Sequence, residues 1–381
     1  MNKDNFYLKN THQLLFIILI SFFVFFWNLK VEFIQLRFAF LILIFFIFFK
    51  INKTLIKSFF KYFTFSLILI LHSYLQSDNL SKYSLYSILV LPLFLIIFNN
   101  YQSFFFKNFE KFIFFSIVLF FFIYFINLIF FKIYDFNLPC NDCNFNKIFK
   151  ERSHFAISIL PFFGYIFFCN FQKKIFKFTI LLLISTISFF NIGITIVAGF
   201  LLILLIEIYL NGLKFKNNLF FVIILCILTI LGLYKFNNKL ISLISLEKNL
   251  SSEVYKTSLI IAYNSIKNKP LGYGFNNYEK AFEINIKDVN PYYQETYQLN
   301  TKDGSNNFSK LITEFGIFSF LFVYYLMNFF KNKEIDQSIK IFFFIAIFMQ
   351  LFVRGFGYFN GGFLLFVFYI YEFGKLSKKN N

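Results

Sequence analysis

Three short groups of polar residues interrupt a chain that is otherwise strongly apolar. The first is Glu151-Arg152-Ser153-His154. The second is Ser305-Asn306-Asn307, followed by Lys310 and Glu314. The third is Arg354, at the head of Arg354-Gly355-Phe356-Gly357-Tyr358-Phe359-Asn360-Gly361-Gly362. Arg152, Lys310 and Arg354 are cations, and an arginine guanidinium matches a phosphate with two parallel hydrogen bonds. Cations gathered at one depth point to an anionic ligand such as a lipid phosphate or pyrophosphate. Glu314, His154 and Glu151 are the groups able to take a proton or orient a hydroxyl. Each group also has a plainer reading. Glu151 to His154 could be a helix cap with an interfacial anchor. Arg354 could anchor a tight turn. Lys310 and Glu314 stand four apart, share a helix face and could simply pair. An ion pair inside an apolar span is an expensive structural device, however.

The elements that must hold these groups are membrane helices. The chain has 381 residues, of which 58% are hydrophobic and 15% charged. A soluble domain carries about 25% charged residues. Here charge is confined to short clusters between apolar runs, each near the ~20 residues needed to cross a bilayer. This excludes a soluble enzyme, a disordered chain and a secreted disulfide scaffold. The 70 Phe residues accompany many Ile, Lys and Asn, as in an AT-rich genome, which argues against reading function into each Phe.

The fold class expected is an all-α polytopic membrane protein, a single integral domain over residues 1–381. It has about twelve transmembrane helices, at 12–28, 33–49, 62–76, 83–98, 112–131, 153–169, 178–190, 191–210, 219–235, 307–329, 341–353 and 358–372. With both termini inside, the inner segments hold 19 Lys and the short outer loops seven Lys or Arg. Basic residues accumulate on cytoplasmic loops, so this bias sets the orientation. It also accounts for the net charge of +18 without nucleic acid as a partner. The first apolar run lacks a small-residue cleavage site and is read as the first span rather than a signal peptide. One large outer loop, 236–306, lies between helices nine and ten, and loops of this length are usually functional. Its Tyr273, Tyr278, Tyr292, Tyr293 and Tyr297 could stack on sugar faces.

Of the remaining candidates, Arg37 and Glu207 lie near helix ends and could reach water by extending along the helix. His72 reads as a packing residue near the outer end of its helix. Cys169 and Cys226 lie within spans and read as small apolar residues. Cys140 and Cys143, in an outer loop, are expected to form a local disulfide. A zinc site would want a second pair of ligands, and a redox role a thioredoxin-like context.

Two segments carry a resemblance. They are Asn268-Lys269-Pro270-Leu271-Gly272-Tyr273-Gly274-Phe275-Asn276-Asn277-Tyr278 and, about thirty residues later, Ser305-Asn306-Asn307-Phe308-Ser309-Lys310-Leu311-Ile312-Thr313-Glu314-Phe315-Gly316. In order, spacing and topology they resemble the O-antigen ligase and polymerase superfamily. Its members carry a Pro-Leu and Gly-x-Gly segment in a large periplasmic loop, then a His-Asn-x-x-Leu-x-x-Leu-x-Glu-x-Gly segment entering the next helix. Glu151-Arg152-Ser153-His154-Phe155-Ala156 is similar to a Glu-Pro-Ser-x-x-Ala segment of the polymerase branch. Pro270 stops a helix, and Gly272 and Gly274 allow the backbone to turn where other residues cannot. Asn306 falls at a helix N-terminus, where free N–H groups favour anions.

The resemblance implies a glycosyltransferase of the bacterial inner membrane that faces the periplasm and uses undecaprenyl-pyrophosphate-linked glycan, without a metal or other cofactor. Its acceptor would be another lipid-linked repeat in a polymerase or the lipid A core in a ligase, and a chain-length regulator is a possible partner. Pyrophosphate would be held by Arg152, Arg354, Lys310 and Lys256, with Asn306, Gly272 and Gly274 beside them. Glu314, His154 or Glu151 would serve as the base. Ser305 stands where the ligase branch has His, which favours the polymerase. Tyr255, with Lys256 adjacent, stands where members of the family often have Arg. A transporter or flippase is the alternative of another class. Such proteins show two related halves, and this chain shows no such repeat.

Overall fold

The computed structural model describes residues 3–25, 30–31, 34–35, 53–77, 82–131, 152–169, 174–190, 193–212, 219–235, 250–286, 301–331, 335–355 and 357–376. Among these the chain is helical apart from one hairpin of two-residue strands, β1 (Lys30–Val31) and β2 (Ile34–Gln35). The helix expected over 33–49 therefore does not begin at 33: Val31 pairs with Ile34 and Lys30 with Gln35. Residues 36–49 lie outside the described residues, as do Arg37, Cys140, Cys143, Glu151, Tyr292, Tyr293 and Tyr297.

The bundle helices are α1 (Lys3–Val24), α2 (Lys53–Ser77), α3 (Lys82–Lys107), α4 (Phe109–Phe131), α5 (Arg152–Phe168), α6 (Lys174–Phe190), α7 (Ile194–Asn211) and α8 (Leu219–Lys235). Most extend beyond the apolar runs, because flanking Lys and polar residues keep helical geometry where the chain meets water. The division of 178–210 into two helices is present. Gly193 supplies the extended N-cap of α7, with φ −144°.

Residues 236–306 are not a plain loop. They contain α9 (Leu250–Asn268) and α10 (Tyr278–Asn285). The helix expected over 307–329 is broken into α11 (Asn307–Phe315), a 3-10 turn (Gly316–Phe318) and α12 (Ser319–Lys331). The break falls at Gly316, whose φ of +53° no continuing helix accepts. After α12 come α13 (Gln337–Phe348), a π turn (Met349–Val353) and α14 (Phe363–Leu376).

Side-chain pairs fix the direction of each helix. Phe23 meets Phe94 at 4.6 Å and Phe16 meets Phe98 at 6.4 Å, so α1 and α3 are antiparallel. Ser21 bonds Ser116 at 2.7 Å and Phe25 meets Phe120 at 5.3 Å, so α1 and α4 run together. Phe109 meets Tyr165 at 5.2 Å and Phe120 meets Phe155 at 6.1 Å, so α4 and α5 are antiparallel. Gly164 of α5 lies against Ile345 of α13, and Cys169 against Ser338, so these two are antiparallel as well. Phe322 meets Phe363 and Tyr325 meets Tyr371, so α12 descends beside α14.

The outcome is a bundle with two distinct ends. Val24, Ser77, the start of α5, the start of α11 and the π turn lie at the upper end, where α9 and α10 also sit. Lys107, Phe168, Lys174 and Lys331 lie at the lower end. At the lower end Lys177 Nζ donates to the carbonyls of Phe167 (2.8 Å) and Cys169 (3.1 Å), closing the C-terminus of α5. Glu207 is only 2% exposed, so it does not extend to water as its position near a helix end allows.

The middle of the bundle is aromatic. Phe342 stands nearly perpendicular to Phe109, Phe162 and Phe366, with ring centroids 5.1–5.4 Å apart. Such edge-to-face pairs each add about 0.5–1.5 kcal/mol beyond burial. Lipid tails are as apolar as Phe, so shape and edge contacts hold these helices together rather than exclusion from water. Among the described residues, three stretches are long and apolar enough to cross a bilayer: Ile56–Gln76, Ile194–Asn211 and Asn307–Lys331. Shorter apolar helices surround them. Their outward faces carry side chains such as Leu75, Leu205 and Ile230, each more than 60% exposed. This is the surface of a membrane protein.

Candidate functional site

α11 is an amphipathic helix turned inside out. Asn307, Lys310 and Glu314 fall on one face, and all three side chains are fully enclosed, while Phe308 and Leu311 are only partly so. A helix whose polar face points into a membrane bundle is organising something there. Asn306 caps it: its side-chain oxygen accepts from Ser309 N at 2.8 Å. Asn306 and Asn307 are themselves buried, so this N-terminus is closed by its own cap and does not stand open to an anion.

Lys310 and Glu314 do pair, at 3.7 Å. Lys310 Nζ also donates to Asn276 Oδ1 (3.0 Å), to the carbonyl of Lys302 (3.0 Å) and to Asp303 Oδ1 (2.9 Å), and it stands 5.2 Å from the centre of the Tyr358 ring. An ammonium has three hydrogens. Lys310 directs them to acceptors of its own chain. Glu314 is engaged as fully: Oε2 accepts from Asn276 N at 2.8 Å and Oε1 from Tyr278 N at 3.3 Å.

The 268–278 segment is shaped to meet this helix. α9 stops at Asn268 because Pro270 disfavours helix at the residue before it. Gly272 and Gly274 then take φ of +81° and +93°, and Asn276 takes +59°. The segment thereby lays its backbone along the end of α11. Tyr273 N donates to Thr313 O (3.0 Å), Gly274 N to Glu314 O (2.9 Å) and Ile317 N to Pro270 O (2.9 Å). From the other side α2 holds the same segment, with Ser73 Oγ accepting from Phe275 N at 2.9 Å and His72 Nε2 donating to Leu271 O at 2.9 Å. His72 also stacks on Phe315, so it is a packing residue with a defined partner.

The Arg354 turn closes the third side. Gly355 N donates to Ser305 O (3.0 Å), and Gly357 N donates to Asn307 Oδ1 (3.1 Å). A Cβ on Gly355 would stand 2.3 Å from Asn307 N, so the two backbones touch as only glycine allows. Replacing Asn307 by Ala is expected to leave Gly357 N without its acceptor and to destabilise the protein by about 1–3 kcal/mol, the penalty for a buried unpaired donor. Thermal unfolding in detergent checks this; an unchanged midpoint would show that this bond does not secure the turn.

Of the candidate residues, the structure joins Glu314, Lys310, Asn306, Gly272, Gly274 and the Arg354 backbone into one knot. Tyr255, the neighbour of Lys256, donates its hydroxyl to Phe352 O at 2.7 Å, while Lys256 itself falls on the side of α9 opposite the buried Ser258, Ile261 and Ser265. Burial pushes the Tyr255 phenol above its ordinary value, which keeps it a donor. The α5–α13 register brings the other cation group to the same level. From Gly164 back to His154, and from Ile345 on to Val353, are both roughly 12–15 Å of helix. The start of α5, with Arg152 and the buried His154, thus lies at the height of the π turn. Gly272, Gly274 and Asn306 give their polar groups to the chain itself, as does Lys310. They shape the site, and the Arg354 turn and the start of α5 lie at the same end of the bundle.

Asp303 and Ser73 carry no obvious mark in the sequence, while Asn307 and Tyr358 lie within polar groups already singled out there. Asn276 has such a mark, since Asn is the side chain that most readily takes a left-handed backbone after glycine. No family model, curated protein or solved structure matches this chain.

Proposed function

We propose that the protein is a membrane glycosyltransferase of the O-antigen polymerase type. In this reading it transfers a glycan from undecaprenyl pyrophosphate onto a second lipid-linked repeat, at the periplasmic face of a bacterial inner membrane. One observation carries the proposal. The two segments that resemble the family, 268–278 and 305–316, interlock through Glu314 and Lys310 and meet the Arg354 turn at one end of the bundle. Segments that matched by chance would have no reason to fold together.

Other features support it. From α2 to α8, and from α12 to α14, successive described helices run in opposite directions, in keeping with about twelve spans and both termini cytoplasmic. The sequence puts more Lys in the segments at the lower end, which supports an upper end that faces outward. Ser305 is buried, and its hydroxyl bonds that of Ser258. The position where the ligase branch has His is therefore occupied by a packed pair of small hydroxyl residues, which favours transfer to a lipid-linked repeat over transfer to lipid A core.

The chemistry divides among the residues as follows. Arg354 and Arg152 hold the pyrophosphate and offset the charge that develops on it as it leaves; Lys256, on the outward side of α9, is not part of this set. An acceptor hydroxyl attacks the anomeric carbon, the carbon–oxygen bond to the pyrophosphate breaks, and the hydroxyl proton passes to a base. Glu314 has two backbone N–H groups and Lys310 against it, so it is a positioning residue. His154, in the first turn of α5, or Glu151 before it, takes the proton.

Arg354→Ala is expected to abolish long-chain surface polysaccharide, leaving single repeats, while the protein still inserts. A gel of the surface glycan checks this. A normal ladder from a well-expressed variant would contradict the role of Arg354.

A further inference from the structure

We infer that α9, which lies over the upper end of the bundle, is seated in the headgroup region of the outer leaflet rather than standing in water. The residues on its two sides carry the argument. Toward the protein it presents Val254, Thr257, Ser258, Ile261, Ala262 and Ser265, all buried. Away from the protein, Lys256, Leu259, Ile260, Tyr263 and Lys267 fall in one sector of the helix. Leu259 is 37%, Ile260 42% and Tyr263 66% exposed. The inward face already has its apolar contacts, Val254 and Ile261 clustering with Tyr278 and Phe282 of α10, and a surface helix in water would keep the opposite face polar rather than turn Leu, Ile and Tyr outward. Lysines at both ends of the stripe, about 16 Å apart along the helix, fit a segment lying flat at a bilayer surface. Its apolar middle sinks among the upper acyl chains, and the lysine stems extend back to the phosphates.

The occupant of this face is set by what continues it. α9 packs on α11 and on the Gly316–Phe318 turn. Ile317 and Phe318 of that turn are exposed and begin the outward apolar face of the Asn307–Lys331 span, which continues through Phe320 and Leu321. Leu271, just past α9, is exposed beside Leu71 and Leu75 at the upper end of α2. The apolar surface of the spans thus continues toward α9, whose Lys256 and Lys267 bound the exposed Leu259–Tyr263 stretch, and the medium that covers the spans covers this edge. The inference does not depend on the glycosyl-transfer reading.

The test places a single tryptophan on the edge. Trp27 is the one Trp in the sequence. In a Trp27→Phe background, Tyr263→Trp and, separately, Ile260→Trp are reconstituted with the full chain into phosphatidylglycerol–phosphatidylcholine vesicles. Glu279→Trp, on the exposed side of α10, is the control. Lipids brominated near the carbonyl end should quench both edge tryptophans, aqueous iodide should not, and the control should show the reverse. Quenching of the edge positions by iodide would overturn the inference. So would protection from both quenchers, which would mean that a second copy of the chain covers the edge.

Discussion

Lys310→Met should unfold the upper end of the protein and end its activity. The substitution keeps the length of the side chain and removes the charge. Glu314, fully enclosed, would lose its counter-ion, and Asp303, Asn276 and the carbonyl of Lys302 would lose their shared donor. Breaking a buried pair by removing one partner costs about 3–5 kcal/mol, a large part of the stability of most proteins. Thermal unfolding in detergent should show a marked fall. Pairing it with Glu314→Gln should recover part of the loss, because the stranded carboxylate is then gone. The exposed pair Lys302–Glu279, at 3.8 Å, is the control. Lys302→Met should cost no more than about 1 kcal/mol, since Lys310 uses the carbonyl of residue 302 and not its side chain. Equal effects at 302 and 310 would show that the buried knot carries no special weight.

Gly316→Ala should be nearly as severe, for a geometric reason. At φ +53° an added Cβ would stand 1.9 Å from Pro270 O and 2.8 Å from Gly272 N. Both atoms are backbone, so no side chain can swing aside. The 270–274 segment would have to lift from the end of α11, losing the bond from Ile317 N to Pro270 O and loosening those from Tyr273 and Gly274. Gly212 separates strain from collision. Its φ is +60°, and nothing lies within 4 Å of its Cβ position. Gly212→Ala should cost only the backbone strain, about 1–3 kcal/mol, and should leave transfer intact. Gly316→Ala should abolish transfer and expose the 268–278 segment to protease. A Gly316→Ala protein with normal activity and an uncut loop would mean that the two segments need not touch.

What the sequence makes legible is whatever depends on neighbours along the chain. Apolar runs locate most helices, and Pro270 marks a helix stop. The four-residue spacing of Lys310 and Glu314 foretells their pairing, and Asn306 reads as lying at a helix N-terminus. α9 was also within reach, since its inward residues from Val254 to Ser265 recur with a helical period that a reading of 236–306 as one loop overlooks. The helix break at 316 is harder to see, because a lone Gly in an apolar run is common and only the approach of Pro270 explains it.

The partners of Lys310 are harder still. Asn276 lies thirty-four residues away, and Asp303 approaches through a turn, so nothing local says that the ammonium is already fully engaged. That is why residue type alone offers Lys310, Gly272, Gly274 and Asn306 as ligands for an anion, while their hydrogen bonds show them bound to one another. The other candidate cations are Arg152, Lys256 and Arg354. They belong to three separate helical regions, and only the packing of α5 on α13 and the bond from Tyr255 to Phe352 reveal that they share a level.

The most direct test of the account uses purified protein in vesicles without ion or voltage gradients. Undecaprenyl-pyrophosphate-linked oligosaccharide is added, and the products are resolved by mass. The account predicts that the wild-type protein joins repeats and releases undecaprenyl pyrophosphate, and that Arg354→Ala binds to the vesicles equally well but forms no product. Movement of the lipid-linked glycan across the bilayer without any joining of repeats would contradict it and point to a transporter. Joining by Arg354→Ala at the wild-type rate would contradict the assignment of the diphosphate to this end of the bundle.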